Sequence, residues 1–370
     1  MAKNNKIPKC PPLRFPQFND QWKFATISEV CKTSTGSMNT QDKIEGGAYP
    51  FYVRSSTIER ANKYTYDGIA ILTPGDGAIG KVFHYSEGKI AVHQRVYILS
   101  DITIGTKYLF YYFADKFYNR VMRLSAKNTV DSVRMNMITD MPISLPSLAE
   151  QEKIASFLSL IDERIQSCSE TIKERKREKA ALLNQLFSQK LRFPQFSDEW
   201  QQTMLGEIAE TLNSRRKPIT SSDRVRGDYP YYGASGIIDY VNEYIFDEQL
   251  LLIGEDGAKW GKDEKTAFIV NGRCWVNNHA HVLRFQNYPT YKLIEAFFFS
   301  LNLKPFVTGD APPKLTLENL KSILIHFPSL AEQEKIADFL SLIDERIEAE
   351  EGLLEQYERQ KRYLLKQMFI

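Results

Sequence analysis

Residues 73–82 read TPGDGAIGKV, and Gly75, Gly80 and Lys81 fall at the G-x-x-x-x-G-K spacing of a loop that cradles phosphate. The apolar run IAILTP leads into it as a strand would. Val82, however, stands where such a loop places the hydroxyl that holds Mg²⁺. A second constellation joins Asp76 to Glu87 and Lys89, acids and a lysine of the kind found in nucleases. A third sets His279 and His281 on one face of a strand near Cys274, a zinc-like set that is one ligand short. There is no Asn-Pro-Pro-aromatic signature of an amino-methyltransferase and no defensible Ser/His/Asp arrangement. Whether any of these groups does chemistry depends on the elements that position them.

The chain is one unit written twice. SLAEQEKIASFLSLIDERI (147–165) recurs as SLAEQEKIADFLSLIDERI (329–347), and LRFPQFNDQW (13–22) recurs as LRFPQFSDEW (191–200). An interval of about 180 residues is too long for a solenoid and suits a duplicated domain. Between these anchors the likeness thins to YPFY (49–52) against YPYY (229–232), and GDGA (75–78) against EDGA (255–258). The counterpart of TPGDGAIGKV is IGEDGAKWGK, where the four-residue interval is lost and Asp263 follows Lys262. A loop that tolerates this change is a turn between strands, not a nucleotide cradle, although its lysines can still approach a DNA backbone. The acid–lysine set and the histidine set also lack counterparts in the other half, so chance placement explains both. The chain reads as catalytically silent.

Two stretches kept nearly identical imply one kind of partner bound twice, while divergent intervening regions imply two different targets. Packing fixes apolar positions more than polar ones. Glu150, Gln151, Glu152 and Lys153, matched by Glu332, Gln333, Glu334 and Lys335, are therefore expected to be exposed partner contacts. The alternative is a duplication held by helix packing alone. Ser147 with Glu150, and Ser329 with Glu332, form capping boxes. Beyond them Ile161, Ile165, Cys168, Ile172, Leu182 and Leu186 keep a heptad spacing, as do Ile343, Ile347, Leu354, Tyr357, Leu364 and Met368. Arg175, Lys179, Glu350 and Lys361 interrupt the seam and set its register. Two helices of about 40 residues, each ~60 Å long, are expected to pair antiparallel and return the C-terminus toward the N-terminus. Two independent amphipathic helices, each on its own domain, are the other reading.

The regions between mix strand-like stretches (YPFYV, GIAILTP, KVFHY, KIAVHQRVYIL) with an aromatic helix, TKYLFYYFADKFYNRVMRL, whose rings read as core. The second half repeats the order with YPYYG, EQLLLIG, TAFIV, HAHVLRF and TYKLIEAFFFSLNLK. The fold class is thus α+β: two tandem mixed α/β heads joined by two long helices in an antiparallel, pseudo-two-fold coiled coil. The segments are a tail (1–12), a first head (13–146), a central helix (147–190), a second head (191–328) and a C-terminal helix (329–370). Four cysteines without a C-x-x-C pair, no signal-like N-terminus and no long apolar run point to a cytoplasmic protein without a membrane segment. The net charge of +2 excludes a uniformly basic surface. Residues 1–146 carry 19 basic against 12 acidic side chains and residues 191–328 carry 15 against 17, so any DNA-binding face must be a local patch.

The PSLAEQEKIA–LIDERI helices, the RFPQF–W starts and YPYYGASGIIDYVNEYIFD (229–247) resemble the specificity subunit of a type I restriction–modification system, from Leu13 to Ile370. The resemblance implies two target-recognition domains, each reading one half of a split, asymmetric double-stranded DNA sequence. It implies a coiled coil that sets the unread gap, two methyltransferase subunits using S-adenosylmethionine, and two motor-endonuclease subunits using ATP and Mg²⁺. No cofactor is expected on this chain. Side-chain chemistry suited to bases and phosphates nominates Arg54, Ser55, Lys81, Gln94, Arg95 and Lys127 in the first head. In the second it nominates Tyr232, Ser235, Lys259, Trp260, Lys262, Asn278 and Lys314. A scaffold that bridges two copies of a protein partner without touching DNA is the competing reading.

Overall fold

The computed structural model describes residues 10–124, 132–309 and 312–370. The chain divides into two compact units, residues 1–168 with 353–370 and residues 169–352. These divisions cut the long helices in mid-course, so each unit owns a stretch of both, where the repeat pattern alone sets the helices apart as segments of their own.

In unit one the strands are β1 (Lys23–Thr26), β2 (Lys32–Thr35), β3 (Tyr49–Tyr52), β4 (Ile58–Ala61), β5 (Tyr66–Asp67), β6 (Ala70–Pro74), β7 (His84–Ser86), β8 (Lys89–Val92), β9 (Val96–Ser100) and β10 (Pro142–Leu145). The helices are α1 (Ile27–Val30), α2 (Thr106–Leu124), α3 (Met135–Thr139) and the start of α4 (Leu148–Phe187). One antiparallel sheet runs β2-β9-β6-β7, and a second runs β4-β3-β8-β5 with β3 and β8 parallel. β6 is buried along its whole length, which is why AILTP is apolar without alternation. β1 and β10 form a separate two-stranded strap that delivers the chain to α4. The aromatic face of α2, with Tyr108, Phe113 and Phe117, fills the core beside α1, α3 and the long helices. The stretch KIAVHQRVYIL, expected as one strand, is two strands parted by a turn at His93–Arg95.

Unit two repeats this topology. Its strands are β11 (Gln201–Met204), β12 (Glu210–Thr211), β13 (Arg226–Gly233), β14 (Gly236–Val241), β15 (Phe246–Asp247), β16 (Leu250–Gly254), β17 (Ala267–Val270), β18 (Arg273–Val276), β19 (Ala280–Arg284) and β20 (Leu324–Phe327). They order as β12-β19-β16-β17, β14-β13-β18-β15 and β11-β20, matching unit one strand for strand. Its helices are α5 (Leu205–Ile208), α6 (Tyr288–Ser300), α7 (Leu317–Lys321) and part of α8 (Leu330–Met368).

Within each unit the two long helices run antiparallel. In unit one Lys361 pairs with Asp162 (2.5 Å) while Ser144 and Tyr112 donate to the Ile370 carbonyl. In unit two Lys179 pairs with Asp344 and Lys176 with Glu351 (2.6 Å). Lys179 and Lys361 occupy the same place in the repeat, so two of the polar interruptions of the heptads are ion pairs that fix register. The seam itself shifts by one residue: Leu183 rather than Leu182 is fully buried, beside Leu186. The bond from Leu191 N–H to the Gln185 carbonyl (3.1 Å), which ties the end of α4 to the start of the second head, recurs as Leu13 N–H to Gln367 (3.0 Å). No helix among the described residues is long and apolar enough to cross a membrane.

Candidate nucleic-acid interface

Four segments of unit one are stitched together by their backbones. His93 N–H donates to the Tyr52 carbonyl (3.0 Å), Gly75 N–H to Arg95 (2.7 Å) and Val133 N–H to Gly75 (2.7 Å). The β3–β4 hairpin, the GDGA loop, the 93–95 turn and the stretch at Val133 therefore meet. Arg95 N–H also donates to Nδ1 of His93 (3.0 Å), which tightens the turn. Arg54 and Asp76 lie 3.5 Å apart across the junction. Arg54, Ser55, Gln94 and Arg95 are all solvent-accessible here, so four of the nominated side chains come together on one surface. Lys81 is exposed on the far part of the loop, which packs against α2; Lys127 lies outside the described residues.

The same bonds recur in unit two with different side chains. Asn277 N–H donates to Tyr232 (3.0 Å), Glu255 N–H to His279 (2.8 Å) and Leu315 N–H to Glu255 (2.8 Å). His279 N–H donates to Oδ1 of Asn277 (2.8 Å), as Arg95 does to His93. One scaffold thus presents His-Gln-Arg in one unit and Asn-Asn-His in the other. Ser235, Lys259, Asn278 and Lys314 are solvent-accessible, while Tyr232 is half-buried with its ring 5.8 Å from that of Phe268. Lys262 is exposed on a turn anchored to α6 through Asp263 N–H and the Phe299 carbonyl.

Trp260 is a correction. Its side chain is buried in the core with Ile253 of β16 and with Leu303, whose N–H bonds the Trp260 carbonyl. It cannot stack on a base without unpacking that core. The same junctions also hold His93, Asn277, His279 and Glu255, which are not among the nominated DNA contacts; setting VHQRV against VNNHA in register brings out the shared turn.

The opening loop is a hairpin connection, since β6 pairs antiparallel with β7 and β16 with β17. A phosphate cradle needs a helix to follow the loop. Its glycines serve packing instead: Gly80 has φ 63°, and a β-carbon there would stand 2.9 Å from the Cα of Tyr118. The other constellations are dispersed. Tyr85 donates to Glu87, Lys89 lies over the Tyr64 ring, and burial pushes the Cys274 thiol up to about 12.

The helix starts bring a larger correction. Glu150, Gln151, Glu332 and Gln333 are not exposed contacts; each is at most 4% exposed. Arg14 grips Glu150 with two bonds (2.7 and 2.8 Å), and Arg192 grips Glu332 the same way (2.8 and 2.8 Å). Trp200 adds a bond to Glu332 (3.2 Å). Gln151 donates to Pro146 and accepts from Gly105 N–H, while Gln333 donates to Pro328 and accepts from Thr290. These bonds explain why RFPQF and PSLAEQ recur together: they are two sides of one clasp. The capping boxes are half realised, since Ser147 and Ser329 accept from the Glu150 and Glu332 amides (3.4 Å) but the carboxylates turn to arginine. Glu152, Lys153 and Lys335 do face outward, as does Glu334 beside them. They share a stripe with Ala149, Ser156, Leu160 and Arg164 on α4, and with Ala331, Asp338, Leu342 and Arg346 on α8. Leu160 is 58% and Leu342 59% exposed, an apolar pair outside the heptad seam.

The profile of the type I restriction modification DNA specificity domain matches residues 19–175 and again 197–359. A putative type I restriction enzyme specificity subunit of Haemophilus influenzae is 36% identical over 145 residues, 39% of this chain and 37% of that protein. The EcoDI type I restriction enzyme specificity subunit of Escherichia coli is 28% identical over 146 residues, 40% of this chain and 32% of that protein. The matched stretches thus span about a third of the length of these curated relatives. The crystal structure of a type I restriction–modification S subunit from M. genitalium shares the fold with a TM-score of 0.68, at 19% identity, over 98% of this chain and 99% of that one. With its domain matched twice, over both repeats, the chain belongs to the type I restriction modification DNA specificity family.

Proposed function

We propose that the chain is the DNA-reading subunit of a type I restriction–modification complex, each unit reading one half of a split, asymmetric target. The observation that carries this reading is the pair of equivalent loop junctions, alike in backbone bonding and different in exposed side chains. A scaffold for two copies of one protein has no use for that divergence. Arg54, Ser55, Gln94 and Arg95 supply base and phosphate contacts in the first reader; Tyr232, Ser235, Asn278, Lys259 and Lys314 supply them in the second. Lys81, Lys127 and Lys262 add charge toward the flanking backbone. The antiparallel helices, extended as a coiled coil, set the unread gap.

The chain itself performs no chemistry in this account. Two methyltransferase subunits bring S-adenosylmethionine, and two motor-endonuclease subunits bring ATP and Mg²⁺. The outward stripes centred on Leu160 and Leu342 dock the methyltransferases. Because both leucines are exposed, Leu160→Glu or Leu342→Glu should leave the fold intact and weaken one docking at least about tenfold. The mass of the purified assembly should fall by one companion for each single variant and by two for the double. Two companions retained on the double variant would remove these stripes from the interface.

DNA reading is tested by selection from a random duplex pool across a salt series. Phosphate contacts predict affinity that drops steeply with salt, together with an enriched sequence. The scaffold reading predicts neither.

A further inference from the structure

Glu255 is a carboxylate at the junction of unit two that ties the EDGA loop to the 277–279 turn, to the stretch at Leu315 and to Arg216. Its side chain is only 9% exposed, and it accepts from Arg216 Nη1 and from Lys314 Nζ (2.6 Å). Arg216 continues to the carbonyls of Ala280 (2.8 Å) and Asn278 (3.3 Å). Nδ1 of His281 lies 3.5 Å from the Glu255 carboxylate. Nε2 of His281 faces the Leu315 carbonyl (2.7 Å) and so carries the proton, leaving Nδ1 to accept from Asn213 (2.8 Å). The Glu255 backbone bonds His279 and Leu315. Burial alone would push this carboxyl up, yet the bonds from Arg216 and Lys314 outweigh it and hold it below the usual range. The equivalent position in unit one is Gly75, which has no side chain to act as such a hub.

We propose that Glu255 is a positioning and specificity-determining residue of the second reader. It fixes Arg216, Lys314 and the 277–279 turn in a single arrangement, so that base discrimination in one half-site depends on a side chain that touches no base. The proposal rests on the converging loops being the DNA-facing surface. Without the carboxylate, Arg216 and Lys314 repel each other and Lys314, 47% exposed, loses its anchor. A mobile lysine still binds phosphate but no longer selects a base.

The test is selection from a random duplex pool by the full assembly carrying Glu255→Gln, Arg216→Gln or both, with thermal unfolding followed in parallel. Discrimination at one or two positions of the second half-site should fall about tenfold to a hundredfold, the usual worth of an oriented base contact. The first half-site should be unchanged, and the double variant should relax the same positions no further than either single one. Intact base preferences in Glu255→Gln overturn the proposal while leaving DNA reading in place. Loss of the whole second half-site together with early unfolding also overturns it, because Glu255 is then a fold residue. If the unsubstituted assembly selects no split sequence, the DNA reading itself fails and the proposal falls with it.

Discussion

Exchanging residues 13–146 for the corresponding head of a relative with a different target should replace one half of the recognised sequence and leave the other half untouched. The expectation follows from how each reader is assembled. The backbone bonds that build the first junction, from Tyr52–His93 to Gly75–Val133, lie within those residues. Residues 13–146 also contain the strap β1–β10 and α2, whose aromatic face packs in part on Ile154, Leu158 and Leu364 of the retained helices. What it must reproduce is that apolar face and the clasp to the remaining chain: Arg14 against Glu150, Gly105 N–H against Gln151, and Leu13 N–H against Gln367. A head that keeps LRFPQF and the apolar face of α2 should therefore dock without repair. The effect is all-or-none on a half-site, measured by mapping the sequences that the assembled complex selects or methylates. A change in both halves would contradict modular reading.

Arg14→Ala should destabilise unit one by about 3–5 kcal/mol, the loss typical when one partner of a buried, hydrogen-bonded pair is removed. Glu150 has 1% of its side chain exposed, so its charge would have neither water nor the guanidinium. Replacing both Arg14 and Glu150 by methionine should recover much of the loss, since no unpaired charge is then buried. Denaturant unfolding of the three variants measures this directly. If the glutamate were a partner contact, Arg14→Ala would leave the stability of the isolated chain unchanged and weaken assembly instead.

The long helices, the duplication and the exclusion of a nucleotide site were legible because they rest on local signals: heptads, absent glycines, and an interval broken between copies. The meaning of the polar repeat was not. Glu150 and Gln151 are separated in sequence from Arg14 and Gly105, and only the fold shows that these distant residues neutralise and bond them. Exposure of a glutamate is a sound default that a partly buried arginine partner overrides. The turn at 93–95 hid inside an apolar run because β8 and β9 follow one another with only three residues between them. Trp260, nominated with its neighbouring lysines as a DNA contact, sits in a loop that folds back on its own core. Arg54 and Gln94, nominated from residue type and loop position, are both exposed at one junction.

The most direct measurement is the sequence profile of duplexes retained by the complete assembly from a random pool. The account predicts two short unlike blocks separated by a spacer of fixed length and free composition. A single continuous block, a palindrome, or retention without any sequence preference would contradict it.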